Sequence, residues 1–136
     1  MEIIYSMNAD IDPEQLCRLY AQTSWARGRT PRDVVNMLAH TALHVSAWAG
    51  DTLVGFARAI SDLTYRALID DVIVDEPLRG QGIGSELIRR IGDELREVDE
   101  LFLGCGDDVV PFYRRHGFAP APHACLKKIK GEQEDP

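Results

Sequence analysis

The spacing of apolar positions along the chain changes several times, and each change marks a new element. Glu2 to Met7 has the look of a short first strand. Asp12-Pro13-Glu14 reads as a helix start: an acid able to cap, Pro in the first turn, and Glu near the positive dipole end. Leu16, Leu19, Tyr20 and Thr23 give that helix one apolar stripe, and Ser24 to Arg29 follows as a loop. Thr30-Pro31 opens a second helix, with Val34, Val35, Leu38 and Ala42 at helical spacing. The pattern then turns to strands. Leu43–Ala49 and Thr52–Ile60 flank Gly50-Asp51 as a hairpin, Ser61–Tyr65 is a second turn, and Arg66–Asp75 is rich in β-branched residues.

From Gly82 to Val98 the helical period returns, with Ile83, Leu87, Ile88, Ile91 and Leu95 opposing Arg89, Arg90, Asp93, Glu94 and Glu97. A short strand over Glu100–Gly104, a short helix over Asp107–His116 and a last strand over Ala124–Lys130 complete the reading. Pro120 and Pro122 make the link before that strand irregular. The expectation is one α+β domain over residues 1–130, with a disordered acidic tail over 131–136.

Composition narrows the classes. The 136 residues suit one domain with a real core. No apolar run nears the roughly 20 residues that span a bilayer, and the start lacks a basic n-region, so a cytoplasmic location and no membrane partner are expected. Cys17, Cys105 and Cys125 fit no metal-ligand pattern and read as reduced thiols. Nor do the histidines form a metal set; only His40 and His44 come near one, across a helix end. A net charge of −7 argues against nucleic acid and mildly favours a cationic partner.

The loop Arg79-Gly80-Gln81-Gly82-Ile83-Gly84-Ser85 carries the strongest chemistry, because it joins a strand to an amphipathic helix. Glycines let backbone N–H groups turn toward an anion, and the helix start aims its unpaired donors and positive dipole end at the same point. Arg79 can add a charge-assisted contact. The arrangement suits a pyrophosphate; a tight strand-to-helix turn is the bland alternative. It lacks the Lys-Ser/Thr ending of a P-loop and sits too late in the chain for a dinucleotide fingerprint. Asp70-Asp71 is the second signal, since paired acids interrupt an apolar strand and need a role or a partner there. Neighbouring strand residues point to opposite faces unless a bulge intervenes. An ion pair with Arg58 or Arg66 is the structural alternative.

The segment Val72-Ile73-Val74-Asp75-Glu76-Pro77-Leu78-Arg79-Gly80-Gln81-Gly82-Ile83-Gly84 resembles the acyl-CoA-binding motif of the GNAT N-acetyltransferase superfamily, Arg/Gln-x-x-Gly-x-Gly/Ala. Val110-Pro111-Phe112-Tyr113-Arg114-Arg115-His116-Gly117-Phe118 is similar to its Phe-Tyr-x-x-x-Gly-Phe signature. The resemblance implies a mixed, mostly antiparallel sheet of about six to seven strands with about four helices, in which a central parallel strand pair splays into the cofactor cleft. It implies acetyl-CoA, held at Val72, Ile73 and Val74 along the pantetheine arm and at Arg79 through Ser85 around the pyrophosphate. A bulge in that strand would aim an N–H at the thioester carbonyl. Tyr113 matches the family's general acid.

By analogy with polyamine-type relatives, Asp70 is the candidate base and Asp71 an amine-binding acid. Trp25 and Tyr65 occupy segments that often line the acceptor, where an aromatic wall would attract a cation. The implied reaction is acetyl transfer to a primary amine, with a small-molecule acceptor ahead of protein N-termini or lysines. A non-catalytic acyl-CoA-binding module is the remaining alternative. Gly106-Asp107-Asp108 departs from the pattern where many relatives carry an Asn that contacts pantetheine. Relatives often form homodimers through strand exchange or sheet edges.

Overall fold

Local chemistry starts the first two helices where the sequence implies. In α1 (Pro13–Tyr20) the Asp12 carboxylate accepts from the Glu14 amide at 2.9 Å, and in α2 (Pro31–Ala39) the Thr30 hydroxyl accepts from the Asp33 amide at 3.3 Å. A computed structural model describes residues 2–131. These fall into two compact units, which part between residues 105 and 106.

The first unit is an open sheet in the order β1 (Ile4–Met7), β2 (Leu43–Ala49), β3 (Thr52–Ser61), β4 (Arg66–Val74), β5 (Glu100–Leu103). The first three pairings are antiparallel and β4–β5 is parallel, so the sheet is mixed. Helix α3 (Ile83–Glu94) lies between the parallel strands in sequence and supplies their crossover.

Successive β3 residues face opposite ways, and this separates two apolar layers. Phe56 joins Leu16, Leu19, Tyr20, Ala26, Val34, Leu53 and Ile73 in the core beneath α1 and α2. Gly55 faces the α3 side, where a Cβ would stand 3.1 Å from Ala47 Cβ, 3.1 Å from Ile83 Cγ2 and 3.2 Å from Leu87 Cδ1. That close approach explains a glycine inside a strand. A Gly55→Val substitution is expected to lower unfolding free energy by about 1–3 kcal/mol through overpacking, read by urea denaturation.

Several expectations change, among them the first helix, which ends at Tyr20 before Thr23, and the helix read over Asp107–His116, which is α-helical only from Val110 to Arg114. The described residues hold five strands rather than six or seven, because residues 124–130 form none. Leu126 and Ile129 there are 90% and 76% exposed, so their apolar side chains find no face to cover. Helix α3 stops at Glu94, not Val98; Leu95 and Val98 are buried by a following turn, closed by the Val98 amide on Leu95 O at 2.9 Å. In α2, Val35 is exposed and Ala42 lies past the helix end.

The second unit contains α4 (Val110–Arg114), the fourth α-helix among the described residues, preceded by a 3-10 turn at Asp107–Val109. Most of the expected acidic tail, residues 132–136, lies outside the described residues.

Candidate active site

Strand β4 changes character halfway along. Its first four residues, Arg66 to Ile69, pair with β5, and β5 then stops at Leu103. From Asp70 to Val74 that side of β4 has no strand partner among the described residues. At the same level the pairing with β3 slips. Between the rows Phe56–Ile73 and Arg58–Asp70, β3 has one residue, Ala57, whereas β4 has two, Asp71 and Val72. The extra residue is a β-bulge, and Asp71 takes a left-handed backbone with φ of 55°. For a residue with a Cβ that conformation costs about 1–2 kcal/mol, least for Asn and Asp, whose short polar side chains tolerate it.

The bulge is why both acids reach one arginine. Arg58, opposite Asp70, donates through Nε to Asp71 Oδ2 at 2.7 Å and through Nη2 to Asp70 Oδ2 at 3.1 Å. Asp71 Oδ2 also accepts from Tyr20 Oη at 2.8 Å and from Arg29 Nη1 at 2.7 Å. The Asp71 side chain is 1% exposed and that of Asp70 is 40% exposed. Asp71 Oδ1 is buried with no hydrogen-bond partner among the described residues. The two acids thus differ sharply. Asp71 is a buried carboxylate shared by two guanidiniums, the ion-pair alternative realised with Arg58 and extended to Arg29. Arg66 pairs with Glu100 instead.

Burial, then the Asp71 charge, pushes the Tyr20 phenol well above its ordinary value. The folded chain therefore holds this proton more firmly than the unfolded chain. That stability is complete below the unfolded value of about 10 and is lost as pH rises toward the folded one. In urea denaturation at alkaline pH, Tyr20→Phe is expected to shrink the fall in stability seen above about pH 10.

Trp25 and Arg29 lie in the connection between α1 and α2. The Arg29 guanidinium sits 4.6 Å from the Tyr20 ring centroid and 5.7 Å from that of Trp25, and the two rings meet edge-on at 6.4 Å. Trp25 is 55% exposed, and its cation–π partner is this arginine. Tyr65 is 61% exposed, in a turn built on Asp62, whose carboxylate accepts from the amides of Thr64, Tyr65 and Arg66. Those bonds hold the Asp62 carboxyl below its usual range.

Beyond Val74 the chain makes a 3-10 turn at Glu76–Leu78 and enters the glycine loop. Gly80 and Gly82 have φ of 81° and 91°, and Gly82 is the N-cap of α3. No side chain caps this helix start, in contrast to α1 and α2. Residues 79–82 are exposed, and Arg79 Nε donates to Val74 O at 3.0 Å. The first amides of a helix have no partner within it, and an N-cap glycine offers no side chain to take them up. Glu86, one turn on, is taken up by Arg89 and Arg90 at 2.6 Å, and these hydrogen bonds depress its carboxyl to about 2.

The sequence reading missed the support beneath this loop. Arg18 Nη1 reaches Asp75 Oδ2 at 3.2 Å, Gln22 Nε2 reaches Asp75 Oδ1 at 2.9 Å, and Gln22 Oε1 accepts from the Glu76 amide at 2.9 Å. Gln15 accepts from the Leu53 amide at 2.8 Å. Gln15, Arg18 and Gln22 follow one another at helical spacing, so a polar stripe that reads as solvated grips the sheet and the loop entrance.

In the second unit Tyr113 is on α4. Its ring packs edge-on against Phe112 at 5.0 Å and Phe118 at 6.1 Å, and its carbonyl accepts from the Phe118 amide at 3.1 Å. His44 bonds Ala9 O and His40 bonds Asn36 O, and no acid, His or Cys group able to hold a metal occurs among the described residues. No helix among them is long and apolar enough to cross a membrane.

Comparison with known proteins bears on the family and the fold. An N-acetyltransferase of Pyropia yezoensis, ycf52, described as uncharacterised, is 32% identical over 127 residues, covering 89% of this chain and 72% of its own length. A soybean (Glycine max) protein named histone acetyltransferase TAP1 is 32% identical over 142 residues, covering 96% of this chain but only 60% of its own length. The structure of a GNAT-family acetyltransferase from Streptococcus pneumoniae superposes with a TM-score of 0.80 at 26% identity, over 98% of this chain and all of that one. The model of the acetyltransferase (GNAT) family matches residues 7–118, and the chain belongs to that family.

Proposed function

We propose that the protein moves the acetyl group of acetyl-CoA to a primary amine of a small molecule, by direct attack in a ternary complex. One observation carries this reading: on β4, an unpaired and bulged stretch leads directly into an uncapped helix start behind a glycine loop. A strand side without a partner offers amides and carbonyls to an extended, amide-bearing arm. Val72, Ile73 and Val74 hold that arm, and Arg79 through Ser85 hold the diphosphate. Acetyl-CoA supplies the activated acyl group.

The chain's own residues supply the rest. Amides displaced by the bulge stabilise negative charge growing on the carbonyl oxygen. Asp70, the more exposed acid, takes the proton of the attacking amine directly or through water. As the N–C bond forms and the C–S bond breaks, Tyr113 gives its proton to the departing thiolate. The analogy gives the amine to Asp71; because its side chain is 1% exposed and that of Asp70 is 40% exposed, we give the amine contact to Asp70, with Trp25 and Tyr65 as the aromatic side. The three cysteines are free thiols, in keeping with a reducing compartment such as the cytoplasm.

The test is thiol release from acetyl-CoA across polyamines, arylalkylamines and amino acids. Tyr113→Phe is expected to lower kcat by about 10²- to 10⁴-fold, with cofactor affinity kept. Cofactor binding without turnover on any amine would sink the reading and favour a non-catalytic module. The soybean relative's name favours a protein acceptor as the second reading. Acetylated lysines or N-termini on a host protein, seen by mass spectrometry, would select it.

A further inference from the structure

Asp71 stands where the β3–β4 pairing slips, and three elements converge on its Oδ2. Tyr20 comes from the end of α1, Arg58 from β3, and Arg29 from the α1–α2 connection, 42 residues away in sequence. Arg58 alone, inside the sheet, would give the buried carboxylate a counter-charge. Arg29 is a second cation, brought from a loop and 34% exposed. Its guanidinium is oriented by the Tyr20 and Trp25 rings, and its backbone is fixed by the Arg29 amide on Ala26 O at 3.1 Å and by Cys17 Sγ donating to Arg29 O at 3.6 Å. A planar fork held this way transmits the loop's position to the carboxylate. A short aspartate side chain transmits it to a left-handed backbone that unaided chain disfavours.

We infer that Arg29 and Asp71 form a latch through which the α1–α2 loop holds the β4 bulge in the conformation that acetyl transfer needs, both acting as positioning residues. The inference rests on the proposed function for its catalytic consequence, but not for its mechanical one. Opening the latch lets residues 70–74 relax toward regular pairing and moves the amides that would face the thioester carbonyl.

The experiment compares wild type with Arg29→Gln and Arg29→Lys, using two readouts. Amide hydrogen exchange is followed in the ligand-free protein over residues 70–74, with β2 as internal control. Arg29→Gln is expected to speed exchange about 10-fold in 70–74 but not in β2, as local opening does; Arg29→Lys recovers part of the protection by restoring the charge. In acetyl transfer, kcat falls about 10-fold in Arg29→Gln with the acetyl-CoA KM nearly unchanged, the mark of misplacement rather than lost binding. Asp71→Asn, which tolerates the left-handed backbone but lacks the charge, gives the same split.

Unchanged exchange over 70–74, or equal acceleration in β2, overturns the latch whether or not any amine is acetylated. Faster local exchange with an unchanged kcat overturns the positioning role. If wild type turns over no amine, the proposed function fails, and the exchange data still decide whether Arg29 holds the bulge.

Discussion

Replacing Asp71 by alanine is expected to lower the unfolding free energy by about 3–5 kcal/mol, the range found when one member of a buried ion pair is removed. Three costs combine. Two guanidiniums, on Arg29 and Arg58, lose the carboxylate that balances them, and Arg58 has only the more exposed Asp70 left. The Tyr20 hydroxyl, on a ring 1% exposed, loses its acceptor. Alanine must also adopt a φ of 55° or unmake the bulge. Urea denaturation at neutral pH measures the sum. A loss under about 1 kcal/mol would mean that the cluster is solvated and behaves as a surface ion pair.

Gly82→Glu is expected to weaken the proposed acetyl-CoA binding by at least about 100-fold, or about 2.7 kcal/mol. Nothing lies within 4 Å of a Cβ built at Gly82, so the new side chain enters the open space before α3 without a clash. Its carboxylate would meet the helix start, where Gly82 provides no cap, occupying the donors we propose for the diphosphate and repelling an anion there. The φ of 91° adds strain of about 1–2 kcal/mol, so folding weakens modestly while binding is lost. Titration calorimetry with circular dichroism on the same sample separates the two effects. Affinity kept within about 3-fold would remove the helix start from the cofactor site.

What the chain discloses as plain sequence depends on the distance over which each interaction acts. The Asp12 and Thr30 caps, the Gly50-Asp51 hairpin and the α3 apolar face are set by residues a few positions apart, and they are legible. The glycine loop is legible for the same reason. The Asp70-Asp71 pair announces that something unusual happens in an apolar strand. It does not say that a bulge turns both acids to Arg58, nor that Arg29 crosses from another element to join them. The grip of Arg18 and Gln22 on Asp75 is silent in the sequence, because a polar stripe that bonds another element and one that meets only water have the same spacing. The strand expected over residues 124–130 does not form, because a short segment by itself cannot supply the neighbour a strand needs.

Position 71 consequently answers to two filters at once. The backbone admits glycine, asparagine and aspartate with little penalty; the surrounding cations admit aspartate and glutamate. Only one amino acid belongs to both sets. In a saturation library scored separately for abundance and for turnover, this site should be the least permissive of the strand, with asparagine and glutamate failing for different reasons: the first by its missing charge, the second by its extra methylene and its aversion to the turn.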